Sequence, residues 1–111
     1  MNNKKIILTI IISMATISLV ALFWKNSLLM VLILIILSLF KHSIFPLKRE
    51  FLLFVLGGIF GTLGESIVIV SGAWTYAQPH LFNFPVWLPF LWGLAGITGL
   101  SFYEGLMGDK S

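Results

Sequence analysis

Glu65 is the residue of this sequence whose position most clearly indicates chemistry. It is the single charged residue in an apolar run over residues 51–71. A carboxylate is costly to place in hydrocarbon, so such a side chain favours its neutral form or a close partner. The sequence therefore predicts Glu65 as a candidate proton donor. The alternative is a structural role, in which Glu65 only hydrogen-bonds to a neighbouring helix.

Trp92 is the predicted partner of Glu65. Glu65 lies six residues inside Ser71, and Trp92 lies six residues inside Val86. If the two apolar runs cross a membrane in opposite directions, both side chains lie at the same depth, roughly 9 Å below the ends of their helices. A buried indole N–H needs an acceptor, which a carboxyl group provides. We therefore expect a contact between Glu65 and Trp92.

The connector over residues 72–85 is rich in aromatic residues and has no formal charge. Trp74 and Tyr76 lie in it, and their rings fit the aromatic belt of a membrane interface. His80 lies in the same connector and is included as a candidate proton relay, the alternative being an ordinary loop histidine.

Glycines in both of these apolar runs predict close helix packing. At 100° per residue, Gly58 and Gly61 share a face with Glu65. Gly96 and Gly99 share a face with Trp92 in the same way. Small residues let helix backbones approach closely in a membrane. The predicted packing residues are Gly58, Gly61, Gly96 and Gly99.

The other ionisable residues are predicted to lie at the ends of apolar runs. Lys41 is expected to extend its ammonium group toward the lipid headgroups. His42 is expected at the same interface, and Glu104 is expected to reach water. No histidine or carboxylate spacing is typical of a metal site, and no phosphate-binding loop occurs, so no metal and no cofactor are predicted.

The composition indicates the class of protein. Of 111 residues, 59% are hydrophobic and 10% are charged, with a mean hydropathy of +1.04. In ordinary soluble domains, roughly 45–50% of the residues are hydrophobic and roughly 25% are charged. A soluble enzyme, a disulfide scaffold, a disordered chain and a nucleic-acid-binding protein are thereby excluded. An integral membrane protein, surrounded by membrane lipids, is predicted.

Four transmembrane helices are predicted, over residues 6–24, 27–45, 51–71 and 86–107, giving an all-α fold. The first is interpreted as a retained span because it is longer than a signal-peptide core and lacks a clear cleavage site. Pro46 ends the second, since proline lacks the N–H that the next turn needs. Pro89 lies near the start of the fourth, where proline is tolerated.

Basic residues predict the orientation. Six of them flank one side of these spans, whereas Lys25 alone flanks the other. Since basic loops stay in the cytoplasm, both termini are expected there, in the cytoplasmic membrane of a prokaryote. The six are Lys4, Lys5, Lys41, Lys48, Arg49 and Lys110.

The chain is predicted to form a single membrane domain over residues 1–111. All 10 glycines and all 4 prolines lie after residue 45. Residues 1–46 are interpreted as a scaffold hairpin, and residues 51–107 as a glycine-rich hairpin that carries the site. Because the first hairpin offers few positions for close packing, self-association or a larger membrane partner is expected.

The second hairpin resembles a pattern in the carotenoid-biosynthesis membrane hydratase family, over residues 61–92. An uncharacterised small family that shares this hairpin is the alternative. The resemblance implies a lipophilic isoprenoid ligand. It also implies that Trp74, Tyr76 and Trp92, which lie at matching positions together with Glu65, are ligand-binding residues. The matching residues are Gly61-x-x-x-Glu65, Gly72-x-Trp74-x-Tyr76 and Pro85-x-x-x-Pro89-x-x-Trp92.

Three classes of function are compatible with these features. The first is a protein that binds a lipid or isoprenoid in an outer-leaflet pocket around Glu65. Acid-catalysed hydration of a polyene is one activity of such a pocket, with Glu65 protonating the alkene and the tryptophan faces stabilising the cation. The second is a non-catalytic structural or assembly subunit. The third and least favoured is a proton-coupled exporter, because small multidrug-resistance exporters carry their glutamate in the first helix.

Overall fold

The part of the chain that the structure describes folds into four α-helices, in line with the predicted all-α class. They are α1 (Asn3–Phe23), α2 (Ser27–Ile44), α3 (Glu50–Val70) and α4 (Leu88–Met107). The computed structural model describes residues 2–76, 79 and 83–108. Each helix lies within a few residues of its predicted span.

Local sequence signals set the helix boundaries. The Asn2 and Asn26 side chains accept hydrogen bonds from N–H groups in the first turns of α1 and α2, each at 3.1 Å. Such caps satisfy donors that have no partner within the helix. Gly108, with a φ of 84°, ends α4 in the left-handed conformation that glycine adopts without strain.

Three helices are long and apolar enough to cross a membrane: α1, α2 and α3. Only 17%, 17% and 22% of their most apolar windows are buried inside the protein. Most of their large apolar side chains therefore point outward, which is unfavourable in water and favourable in hydrocarbon. The fold is thus compatible with a transmembrane protein.

The helix α4 is not among these three, so the fourth span stays a prediction. This helix packs against each of the other three. Its buried residues include Gly93, Thr98, Ser101 and Gly105, which lower its hydropathy. A helix whose neighbours are protein needs less hydrocarbon surface than one that faces lipid.

The ends of the helices meet at one end of the bundle. The Asn2 N–H donates to the Gly105 carbonyl at 2.8 Å, which joins the start of α1 to the end of α4. At this end the Lys5 ammonium lies 5.8 Å from the centre of the Phe45 ring, just beyond α2. The start of α1 and the end of α4 therefore lie on the same side of the bundle.

Candidate functional site

Glu65, Tyr76 and Trp92 form a carboxyl–aromatic cluster. The Trp92 indole N–H donates to Glu65 Oε2 at 2.6 Å, which is the contact that the sequence predicted. The Tyr76 hydroxyl donates to the other carboxyl oxygen, Oε1. Tyr76 follows the end of α3, so this cluster ties α3, the connector and α4 together.

A glycine allows Trp92 to reach Glu65. Gly61 lies one turn before Glu65 on α3, and a Cβ added there would overlap the Trp92 ring. Without a side chain at this position, the indole lies directly against α3. The sequence prediction that Gly61 serves helix packing is consistent with this contact.

Both oxygens of Glu65 accept hydrogen bonds, one from the Trp92 indole and one from the Tyr76 hydroxyl. Burial and the hydrogen bond to Glu65 raise the pKa of Tyr76, so its hydroxyl stays a neutral donor at physiological pH. The contacts show an acceptor role for Glu65, and its role as a proton donor stays a prediction.

Two other residues were predicted for this site, Trp74 and His80. Trp74 is exposed, and it gives Glu65 no hydrogen bond within the described part of the chain. His80 lies outside the residues that the structure describes. Trp87, which the sequence analysis did not select, packs edge-on against Tyr76 with ring centres 6.0 Å apart.

The predicted packing glycines differ in their contacts. A Cβ at Gly58 would lie 2.6 Å from the Pro89 carbonyl oxygen, and one at Gly96 would lie 3.8 Å from Gly57. A Cβ at Gly99 would meet no described atom within 4 Å, so the structure does not place Gly99 in the α3–α4 contact. Gly93 was not among the predicted packing residues, but a Cβ added there would lie 2.8 Å from the Phe54 carbonyl oxygen.

A second group of polar side chains, Lys41, His42 and Glu50, forms a buried charge cluster at the other end of α3. The expectation that Lys41 extends toward headgroups is wrong, because its side chain is fully buried and its Nζ lies 2.9 Å from Glu50 Oε2. Glu50 begins α3 close to the end of α2, so its carboxylate lies within reach of the Lys41 ammonium group. A paired carboxylate lowers the cost of burying the ammonium group.

Glu50 is 5% exposed and accepts three hydrogen bonds. Its Oε1 accepts from the Leu47 N–H at 2.9 Å and contacts His42 Nδ1 at 2.7 Å. Glu50 is not among the residues that the sequence analysis selected. The spacing of nine residues from Lys41 to Glu50 across a proline-containing turn was the available signal.

Glu104 is also paired. Its Oε1 lies 2.8 Å from the Nζ of Lys5, a residue that is fully buried, while the Glu104 side chain is 27% exposed, in line with the expectation that it reaches water. The sequence analysis did not predict the pairing, because it treated α4 as an isolated helix, whereas the start of α1 lies beside its last turn.

A cavity of about 470 Å³ adjoins the buried charge cluster. This volume is typical of ligand sites, which span roughly 300–1,000 Å³. Glu65 does not line the cavity, so the cavity is not the pocket that the sequence predicted around that residue. Its walls are formed by α2, α3 and α4, with apolar side chains over most of the surface and polar groups at one end. The lining residues are Ile35, Ser38, Leu39, His42, Glu50, Phe51, Phe54, Phe90 and Ile97.

A smaller cavity of about 190 Å³ shares Phe54 and Phe90 with the first. Their rings lie 6.4 Å apart between centres, inclined at 57°. Within the described residues, no group of three or more histidine, aspartate or glutamate side chains could hold a metal ion.

No family model, curated protein or solved structure matches this chain. The resemblance of residues 61–92 to the carotenoid-biosynthesis hydratase family therefore stays a prediction.

Proposed function

We propose that this chain is a membrane protein that binds a lipophilic ligand, a lipid or isoprenoid chain, in the cavity between α2, α3 and α4. The observation that carries the proposal is the cavity itself, which combines an apolar wall with polar groups at one end. Sites for small molecules typically combine mostly apolar walls with a few polar groups that fix orientation.

The lining follows from the helical repeat. Residues 35, 38, 39 and 42 recur at the spacing of one face of α2, and Phe51 and Phe54 lie one turn apart on α3. These walls extend to the outer surface, since Phe51 is 82% exposed. A hydrocarbon chain would then enter sideways from the bilayer, without crossing water.

The finer topology belongs to the same proposal. It places α4 as the fourth span and both chain ends in the cytoplasm of a prokaryotic cell. The bias of basic residues and the contact between Asn2 and Gly105 support this arrangement.

Native mass spectrometry of the detergent-purified protein tests the ligand proposal. We expect the wild type to retain a bound lipid and Ile35→Trp to lose it, because the larger ring would fill the cavity. Ile36→Trp is the matched control, since Ile36 is exposed and does not line the cavity. Equal lipid occupancy in all three proteins would contradict the proposal.

Polyene hydration at Glu65 is retained as a second proposal, supported by the aromatic partners that hold this carboxyl group. Membranes containing the wild type should convert a polyene substrate, and those containing Glu65→Gln should not. Unchanged conversion by Glu65→Gln would leave the carboxyl–aromatic cluster with a structural role.

A non-catalytic structural or assembly subunit is the alternative function. The close contact of Gly58 with Pro89 favours this alternative, because close packing between helices is sufficient for a structural role. Subunit counts from native mass spectrometry would reveal a homo-oligomer or a larger partner. A proton-coupled exporter is the least favoured class. Proton flux in proteoliposomes that depends on Glu65 would support it.

A further inference from the structure

We propose that the ligand of this cavity is an anionic phospholipid, with an acyl chain between α2, α3 and α4 and its phosphate at the turn formed by Lys48 and Arg49. This inference rests on the proposed function and names the chemical class of the ligand. Three features carry it: the apolar lining of the cavity, the position of the cavity along α2, and the charge of the turn beside its polar end.

The lining of the cavity suits a hydrocarbon chain without its head group. Most of the wall is apolar, and each polar side chain of the lining already has a hydrogen-bond partner in the protein. The Ser38 hydroxyl donates to the Leu34 carbonyl at 2.7 Å, and His42 contacts Glu50 at 2.7 Å. A polar head group placed against such a wall would lose its hydrogen bonds to water. We therefore expect the head group of an amphiphilic ligand outside the cavity.

The position of the cavity along α2 indicates which end of the bundle holds the head group. On α2 the lining begins at His42, two residues before the helix ends at Ile44, and it reaches Ile35, near the middle of the helix. Because α2 is long enough to cross a bilayer, these residues face the hydrocarbon of one leaflet. A phospholipid of that leaflet has its acyl chains at this depth and its phosphate near the end of α2.

The turn that follows α2 carries two basic residues beside the cavity. Lys48 and Arg49 are exposed, and they directly precede Glu50 and Phe51, which line the cavity. Since consecutive Cα atoms lie about 3.8 Å apart, the Cα atoms of both basic residues lie within roughly 8 Å of the Glu50 Cα. A phosphate at the polar end of the cavity is therefore within reach of both side chains.

The positive charges of this turn are not neutralised by the described part of the protein. Neither Lys48 nor Arg49 forms an ion pair with a described acidic side chain. The described carboxylates at this end of the bundle, Glu50 and Glu104, are paired with buried lysines instead. Basic side chains near a membrane surface attract anionic lipids. Two positive charges beside an apolar cavity thus complement a negatively charged phosphate that is linked to an acyl chain.

A competition experiment tests this inference. The protein, purified in an uncharged detergent, is incubated with equimolar phosphatidylglycerol and phosphatidylcholine of identical acyl chains, and the occupancy of each is measured by native mass spectrometry. Both lipids have a phosphate, but only phosphatidylglycerol has a net negative charge. We expect the wild type to prefer phosphatidylglycerol about twenty-five-fold, because each of the two basic side chains contributes about fivefold.

Variants of the turn locate the phosphate. Lys48→Gln and Arg49→Gln should each reduce the preference about fivefold, and the double variant should abolish it. Lys4→Gln is the matched control, because Lys4 is exposed at the same end of the bundle but lies on α1, which does not line the cavity. It should keep the preference of the wild type. An equal reduction by Lys4→Gln would overturn the assignment of the phosphate to the turn.

Two further comparisons separate this inference from the proposed function. Equal occupancy of the two lipids in the wild type, with loss of both in Ile35→Trp, would overturn the anionic assignment and leave the cavity as a ligand site. Binding of neither lipid, or undiminished binding of both by Ile35→Trp, would overturn the proposed function as well. Soluble glycerol phosphate has the charge without the chain, so displacement of the lipid by it would overturn the link between the turn and the cavity.

Discussion

At the scale of single residues, the two polar clusters differ in how their carboxylates are satisfied. Glu50 is held by a fully buried ammonium group and two further donors. Glu65 is held by the uncharged hydroxyl of Tyr76 and the indole of Trp92. The first arrangement is an ion pair, whereas in the second the hydrogen-bond donors found among the described residues are uncharged.

Removing one member of the ion pair should destabilise the protein strongly. Lys41→Met leaves the Glu50 charge buried without its ammonium partner, and such changes cost about 3–5 kcal/mol. Adding Glu50→Gln to Lys41→Met should recover much of this loss, because no uncompensated charge remains. Unfolding in mixed detergent micelles measures both variants. A double variant less stable than Lys41→Met would contradict the account of the buried charge cluster.

Tyr76 should give stability a dependence on alkaline pH. Its pKa in the folded protein is raised above the ordinary value of 10.0, by burial first and by the hydrogen bond to Glu65 second. The unfolded chain therefore loses this proton at lower pH than the folded protein does. The contribution is fully present below about pH 10 and is lost as the pH rises further, toward the folded-state pKa.

Tyr76→Phe is the variant that tests this dependence. The unfolding free energy of the wild type should fall more steeply than that of Tyr76→Phe between about pH 9 and about pH 11, because only the wild type has this ionisable hydroxyl. Parallel pH profiles would show that Tyr76 has the same pKa in both states.

At the scale of helices, close backbone contact joins α3 to α4. Gly58 and Gly93 each occupy a position where a Cβ would lie less than 3 Å from a backbone oxygen of the other helix. Backbone oxygens cannot move aside as flexible side chains can. The spacing of these two helices is therefore set by glycine.

Substitution of these glycines should separate α3 from α4. Gly58→Ala and Gly93→Ala should each cost about 1–3 kcal/mol, as is usual for overpacking. Gly99→Ala is the matched control, because its Cβ meets no described atom within 4 Å. It should be neutral or should stabilise α4 by up to about 1 kcal/mol. Unfolding midpoints in detergent measure all three, and equal effects would contradict the glycine contact.

The sequence predicted the helices well because their lengths and boundaries depend on local signals. Apolar runs, asparagine caps and Pro46 act within one helix or at its ends. The Glu65–Trp92 contact was also predictable. Each residue lies six positions from the end of its predicted span, so the two lie at equal depth in antiparallel helices. The pairs Lys41–Glu50 and Lys5–Glu104 were not, because each joins different helices whose relative placement no single-helix pattern contains.

At the scale of the whole molecule, the four described helices bring the start of α1 and the end of α4 to one end of the bundle. The ion pair between Lys5 and Glu104 and the hydrogen bond from Asn2 to Gly105 join α1 to α4 there. The carboxyl–aromatic cluster lies at the opposite ends of α3 and α4. A protein that crosses the membrane in this arrangement would expose its two clusters near opposite surfaces.

Single-cysteine labelling tests this arrangement, because the native chain has no cysteine. Cysteines at Asn3 and Ser43 should react with a membrane-impermeant maleimide from the cytoplasmic side only. Cysteines at Asn26 and Ser71 should react from the other side only, and all four positions are exposed. Labelling of Asn3 and Ser43 from different sides would contradict four crossings with both ends in the cytoplasm.

The most direct test of the central claim is to crosslink a phospholipid whose acyl chain carries a photoreactive diazirine and to locate the adducts by peptide mass spectrometry. The account predicts adducts concentrated on cavity side chains such as Ile35, Phe51 and Phe90. It also predicts that an excess of the same lipid without the diazirine abolishes them. Adducts spread evenly over exposed side chains of α1 such as Ile17, or concentrated at Trp92, would contradict a ligand site between α2, α3 and α4.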